Sequence, residues 1–296
     1  MKLLFHSRLP SATLFMVIMQ SAIAFAAMDY VYETSEPQKS GWPLTEAERN
    51  YVLKPEYQRR PGSEKMQYLP KFWPAVPSAG YWSGTAWLDT HAKLVDYIAR
   101  NKGNVDILLA GDSITQQWGS PLDNKPLGPA WQKHFGKFKT ANIGIGGDKT
   151  QNLLWRLDHG GVDGISPRLV VLMIGNNNMF FTPETGVDAA ASGVAACVKN
   201  LRQKFPNTDV ILVKILPAGE PGSVFFEDIK KTNAAVEKLN LTDVRKVHLL
   251  DLTADFTGPD GKIRQELYTQ DKVHLSPDGY ERYAERLKPL VEKIMK

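Results

Sequence analysis

The run "LLAGDSITQQWG", residues 108–119, sets an aliphatic stretch against Gly111, Asp112 and Ser113 and then a helix-like tail. Two roles suit this triplet. Asp and Ser cap helices, because their side-chain oxygens accept the N–H groups that the first turn leaves without partners. Ser113 at a helix start is also a candidate nucleophile, since the neighbouring main-chain N–H groups favour developing negative charge. A serine needs a base to take its proton. Of the six histidines, His6 falls in an N-terminal apolar segment, and His91, His134 and His159 sit in ordinary helical or loop contexts. His248 lies in an apolar strand, where a satisfied buried residue is expected. His274 alone occupies a polar segment, "DKVHLSPDG" (residues 271–279), with Asp271 three positions earlier. Asp271 can accept from one ring nitrogen and hold the tautomer whose other nitrogen faces Ser113. The pair could instead cap the helix that follows, although Ser276 already suits that task.

These residues need a frame that brings them together across about 160 positions. After residue 90 apolar stretches alternate with amphipathic ones. "VDILLA", "KTANIG", "LVVLMI", "DVILVKIL" and "KVHLLDL" read as strands; "TQNLLWRL", "VAACVKNLRQKF" and "FEDIKKTNAAVEKL" read as helices. "SPDGYERYAERLKPLVEKIMK" reads as a final helix with Ser276 as N-cap and Pro277 at its first position. Such alternation implies a parallel sheet covered by helices on both faces, and near-continuous apolar strands agree. In such sheets ligands bind beyond the carboxyl ends of the strands. The loops there are "GDS", "GIGGDKT" (residues 144–150), "GNNNMF" (residues 175–180) and "DKVHLSPDG", so the chemically loaded segments share one edge.

With these four blocks in order over about residues 105–295, the sequence resembles the SGNH hydrolases, also called the GDSL esterases. The run "NIGIGGDKTQNLLWRL" followed by "VVLMIGNNN" looks most like the catalytic subunits of the intracellular platelet-activating-factor acetylhydrolases. The resemblance implies a flavodoxin-like three-layer α/β/α sandwich with a five-stranded parallel sheet, and ester hydrolysis, often of acetyl groups. It also implies Ser113, Asp271 and His274 as catalytic residues, with the Ser113 and Gly147 N–H groups and the Asn177 side chain as oxyanion donors. Asn177 is picked from three asparagines by the family pattern, with alternation along a strand end separating it from Asn176 and Asn178. The family's third block often reads G-x-N-D, where this chain has Gly175-Asn176-Asn177-Asn178. Asp112 and Asp148 are read as bracing their loops.

Other site chemistries find less support. "GIGGD" matches neither G-x-x-x-x-G-K-[ST] nor G-x-G-x-x-G, because position 149 is lysine. No HExxH or paired-cysteine pattern appears, so neither metal nor cofactor is called for. Cys197 lies in "DAAASGVAACVKNLRQKF" at a spacing that suits helix packing.

The rest of the chain bounds the setting. Its 296 residues, 43% hydrophobic and 23% charged, suffice for one large domain with an extension. A net charge of +4 with dispersed basic residues gives no reason to expect nucleic acid. Lys2 and Arg8, the apolar "ATLFMVIM", and Ala24 and Ala26 read as a signal peptide over residues 1–27. Its loss lowers 36 basic residues to 34 against 32 acidic ones. The apolar run is shorter than the roughly 20 residues of a membrane span, so a secreted or periplasmic protein without stable membrane insertion is expected. Residues 28–90 are rich in Pro, Tyr and Trp, with four of the seven tryptophans (Trp42, Trp73, Trp82, Trp87). They read as an irregular extension pinned to a domain at 91–296, and one or two of the aromatics could also line a cleft. The expected activity is removal of acetyl or another short acyl group, from a carbohydrate first and a lipid or lysophospholipid second. An acyl transferase and a non-catalytic glycan binder on the same frame are the alternatives. Composition leaves the oligomeric state open.

Overall fold

The computed structural model describes residues 86–181 and 186–296. The leader, its Ala24/Ala26 site, and Trp42, Trp73 and Trp82 lie outside the described residues. The five apolar stretches form β1 (Ile107–Gly111), β2 (Thr140–Asn142), β3 (Leu169–Met173), β4 (Asp209–Val213) and β5 (Val247–Leu250). Around them run α1 (Ala86–Arg100), α2 (Ser113–Gln116), α3 (Pro129–Phe135), α4 (Thr150–Asp158) and α5 (Asn176–Phe181). The remaining helices are α6 (Gly186–Lys204), α7 (Val224–Lys238), α8 (Thr253–Phe256) and α9 (Pro277–Ile294). The strands pair in parallel in the order β2-β1-β3-β4-β5, which is the flavodoxin-like order.

The pleat turns alternate side chains to opposite faces, and each face meets its own helices. Leu108, Ala110, Val170, Leu172, Val210 and Leu212 join a core with residues of α1, α4 and α6. Ile107, Leu109, Leu169, Val171, Ile211 and Val213 join a second core with α3 and α9. Every residue of β1 and β3 is therefore buried. Cys197 packs in the first core as the sequence suggested, and burial drives its thiol pKa upward, away from reactive thiolate.

Three local expectations change. The first helix begins at Ala86, so residues 86–90 belong to it and not to an irregular extension. Trp87, His91, Leu94 and Ile98 follow helical spacing and are all buried. Residues 176–178 open the short helix α5 instead of continuing a strand. His248 is half-buried, and Asp209 binds its ring at 2.7 Å.

Candidate active site

Each loop at the carboxyl edge is shaped by a residue that the turn requires. A Cβ at Gly111 would collide with the Met173 carbonyl and the Thr115 hydroxyl, so β1 can turn there only with glycine. Asp112 then caps α2, accepting the Ile114 N–H at 3.1 Å. Capping by Asp112 leaves the Ser113 hydroxyl for other partners, so the cap does not compete with the second role considered for the triplet. Burial pushes the Asp112 carboxyl up to about 7, against the Ile114 hydrogen bond and with help from nearby Asp148.

The Ser113 Oγ lies 2.9 Å from His274 Nε2, and His274 Nδ1 lies 2.6 Å from Asp271 Oδ2. The tight loop carrying the latter two residues is closed by a Tyr268–Leu275 antiparallel bridge and by Thr269 N–H donating to the His274 carbonyl at 2.8 Å. Lys272 adopts φ +60° within it. Asp271 Oδ1 accepts from the Val273 and His274 N–H groups, both at 2.9 Å, and from the Thr269 hydroxyl at 2.7 Å. Partial burial works to raise the Asp271 pKa, but the His274 ring and these three donors outweigh it and hold the carboxyl well below the usual range. A carboxylate that stays ionised fixes Nδ1 as a donor and leaves Nε2 to accept the serine proton. Asp271 and His274 therefore do not serve as the cap of α9. Ser276 does, accepting the Gly279 N–H at 3.2 Å.

The loop after β2 passes over Ser113. A Cβ on Gly146 would stand 3.5 Å from Ser113 Cβ, and the Gly146 N–H donates to Gln116 Oε1 at 2.6 Å. Gly147 adopts φ +81°, a left-handed conformation that glycine adopts without steric cost. From α5, Asn177 Nδ2 donates to the Asp148 carbonyl at 2.9 Å. Asn178 accepts the Thr150 N–H at 3.0 Å and donates to Thr150 Oγ1 and Gln151 Oε1, both at 3.1 Å. Asn176 is buried, and its side-chain oxygen bonds to none of the described residues. Helical geometry, with successive side chains about 100° apart, separates the three asparagines where strand alternation had been invoked.

Other residues that shape the site escaped the sequence reading. Asn142 at the end of β2 donates to the Thr115 and Gly119 carbonyls at 2.7 and 2.8 Å, tying α2 to the neighbouring strand. Asp148 braces its loop as expected, but through a fully buried ion pair with Arg156 at 2.6 Å. The one available signal was an arginine inside the apolar run "NLLWRL". Of the other described histidines, His91 and His159 bind main-chain carbonyls and His134 pairs with Glu281. Among the described residues, no three or more His, Cys, Asp or Glu side chains are grouped to hold a metal ion.

A parallel flavodoxin-like sheet carrying a Ser–His–Asp hydrogen-bond chain on its carboxyl edge is a hydrolase architecture, and the comparisons with known proteins agree. Residues 109–282 match the GDSL-like lipase/acylhydrolase family, and the chain belongs to that family. It is accordingly an ester-hydrolysing enzyme. It is 30% identical over 210 residues to platelet-activating factor acetylhydrolase IB subunit alpha2 of Rattus norvegicus, covering 71% of this chain and 83% of that one. A Streptococcus pneumonia structure described as a platelet activating factor superposes with TM-score 0.54 at 26% identity, covering 70% of this chain and 95% of the other. A GDSL-like lipase of Bacteroides thetaiotaomicron shares the fold at TM-score 0.52 and 21% identity, covering 69% and 98%. No helix among the described residues is long and apolar enough to cross a membrane.

Proposed function

We propose that this chain is an exported serine esterase that removes acetyl or other short acyl groups, with O-acetyl carbohydrate as substrate class. The observation that carries the mechanism is the unbroken hydrogen-bond chain from Ser113 through His274 to Asp271. Ser113 Oγ attacks the acyl carbon while its proton passes to His274 Nε2, and Asp271 stabilises the imidazolium that forms. The tetrahedral oxyanion takes hydrogen bonds from the Ser113 and Gly147 N–H groups and the Asn177 amide. Collapse expels the alcohol, which receives the proton from His274. Water then attacks the acyl-enzyme by the same route, releasing the acid and restoring Ser113.

The acetyl preference is supported by the likeness to proteins named acetylhydrolases. Export and a carbohydrate ester are supported by the leader-like residues 1–27 and by the aromatic-rich stretch that follows. The same named relatives favour a second reading, an acetyl ester of a phospholipid. Turnover of p-nitrophenyl esters of rising chain length, run beside acetylated polysaccharide and an acetyl phospholipid, separates the two. The first reading expects p-nitrophenyl acetate to be preferred and acetate to be released from the polysaccharide. Acetate released from the phospholipid alone favours the second, and rates that climb toward octanoyl esters overturn the acetyl preference that both share. An acyl product appearing on a sugar acceptor marks a transferase, and binding without turnover marks a glycan-binding protein.

A further inference from the structure

The most unusual chemistry outside the reacting groups lies directly beneath them. Arg156, on α4, is fully buried. Its Nε and Nη2 both meet Asp148 Oδ2, at 2.8 and 2.6 Å. Its Nη1 donates to the Ile143 carbonyl at 2.7 Å, and Nη2 reaches the Gly111 carbonyl at 3.4 Å. The second carboxylate oxygen of Asp148 accepts from the indole N–H of Trp87 at 2.7 Å. Burying such a pair is costly in solvation, and well-packed apolar residues often serve stability as well. The contacts instead converge on the proposed oxyanion donors.

We propose that Arg156, with Trp87 as its partner on Asp148, is a positioning residue that holds those donors in register; this rests on the serine-esterase reading above. The Gly111 carbonyl lies two residues before the Ser113 N–H. The Ile143 carbonyl and the Asp148 carboxylate bracket the loop that presents Gly147. The Asp148 main-chain carbonyl receives the Asn177 amide at 2.9 Å, so fixing the Asp148 side chain also fixes the residue against which Asn177 rests. One planar guanidinium thus holds the loops after β1 and β2 directly and, through Asp148, the loop after β3. A lysine ammonium, a point charge without the fork, cannot make this set of contacts. Trp87 brings α1 into the same network, and its ring is flanked by those of His91 and Trp155, at 6.1 and 5.3 Å between centroids.

The test uses Trp87→Phe, which keeps an aromatic ring but removes the donor to Asp148 along with part of the buried indole, together with Arg156→Lys, each in the full chain. Thermal unfolding checks that the variants fold. With p-nitrophenyl acetate, each is expected to lower kcat about 10- to 100-fold, the scale of a small misplacement at a reacting centre. KM should move less than about twofold, and the acid limb of kcat/KM should stay in place because the Ser113–His274–Asp271 chain is untouched. The decisive measurement is a double-mutant cycle. In an Asn177→Ala background Trp87→Phe should cost clearly less than in the wild type, because one of the donors it positions is already gone. Should Arg156→Lys not fold, the Trp87→Phe cycle decides by itself. Unchanged kcat, a change in KM alone, or equal fold-losses in both backgrounds overturns the clamp. Wild-type labelling at Ser113 by a fluorophosphonate separates the two levels. A labelled wild type with multiplicative losses sinks the clamp alone, and an active wild type that takes no label at Ser113 sinks the serine mechanism with it.

Discussion

The Asn177 side-chain amide donates one N–H to the main-chain carbonyl of Asp148 at 2.9 Å, joining the loop after β3 to the loop after β2. An amide nitrogen carries two N–H groups. The bond therefore holds the side chain in place and leaves its second N–H for the oxyanion role proposed above.

Asn177→Ala is expected to lower kcat about 100- to 1,000-fold, or roughly 3–4 kcal/mol, with little change in KM. Asn178→Ala should cost less, through release of Thr150 and Gln151. Asn176→Ala should cost least of the three, since its side-chain oxygen has no hydrogen-bond partner among the described residues. Steady-state kinetics of the three variants check the order, and a crippled Asn176 or Asn178 variant beside an active Asn177 variant reverses the assignment.

Ser113→Ala should abolish turnover by several powers of ten and leave the fold intact, because the hydroxyl forms no part of the cap, which belongs to Asp112. Comparison of turnover and unfolding midpoint against the wild type tests both halves. Near-normal rates in the alanine variant exclude Ser113 as nucleophile.

Asp271→Asn should reduce kcat about 10,000-fold, because an amide can present an N–H where the imidazole needs an acceptor. The depressed pKa of Asp271 keeps it ionised across the working range, so Asp271 should add no proton of its own to the acid limb of the wild-type kcat/KM profile. A fully active Asn variant contradicts the role given to Asp271.

Two buried groups should make stability depend on pH in opposite senses. Burial, reinforced by the nearby Arg156 charge, pushes His91 from 6.5 down to about 3. Between those values the unfolded chain binds a proton that the native state refuses, so His91 erodes stability as pH falls below about 6.5. Asp112, raised from 3.8 to about 7, keeps a proton that the unfolded chain has lost. It therefore erodes stability as pH rises across that window. Each slope is at most about 1.4 kcal/mol per pH unit, and the two oppose each other between about pH 4 and 6.5. Urea midpoints at pH 4.5 and 7 should show Asp112→Asn losing stability on acidification more steeply than the wild type. His91→Gln should lose it less steeply. Identical slopes in all three proteins rule out these two groups as the source.

The strands were legible because a parallel strand buried on both faces reads as an unbroken apolar run, and β1, β3 and the part of β4 after Asp209 are such runs. The polar loops that follow them had to share an edge once the strands were parallel. Ser113, Asp271 and His274 stood out by type and place, and the structure brings them into hydrogen-bond contact. The short helix at Asn176 was missed because three asparagines carry little helical propensity; its place behind β3 is set by packing against α6 and α7. Trp87, His91, Leu94 and Ile98 did form a helical stripe, but a histidine within it and the Pro- and Trp-rich residues before it masked the pattern. Arg156 was the least legible of all. Its contacts to Gly111 and Asp148, and the Trp87 contact to the same carboxylate, span 45, 8 and 61 residues of chain. Local composition determines which segments turn inward and which residues can react. The partner of a buried charge depends on which loops the strand order sets side by side, and that only the tertiary structure decides.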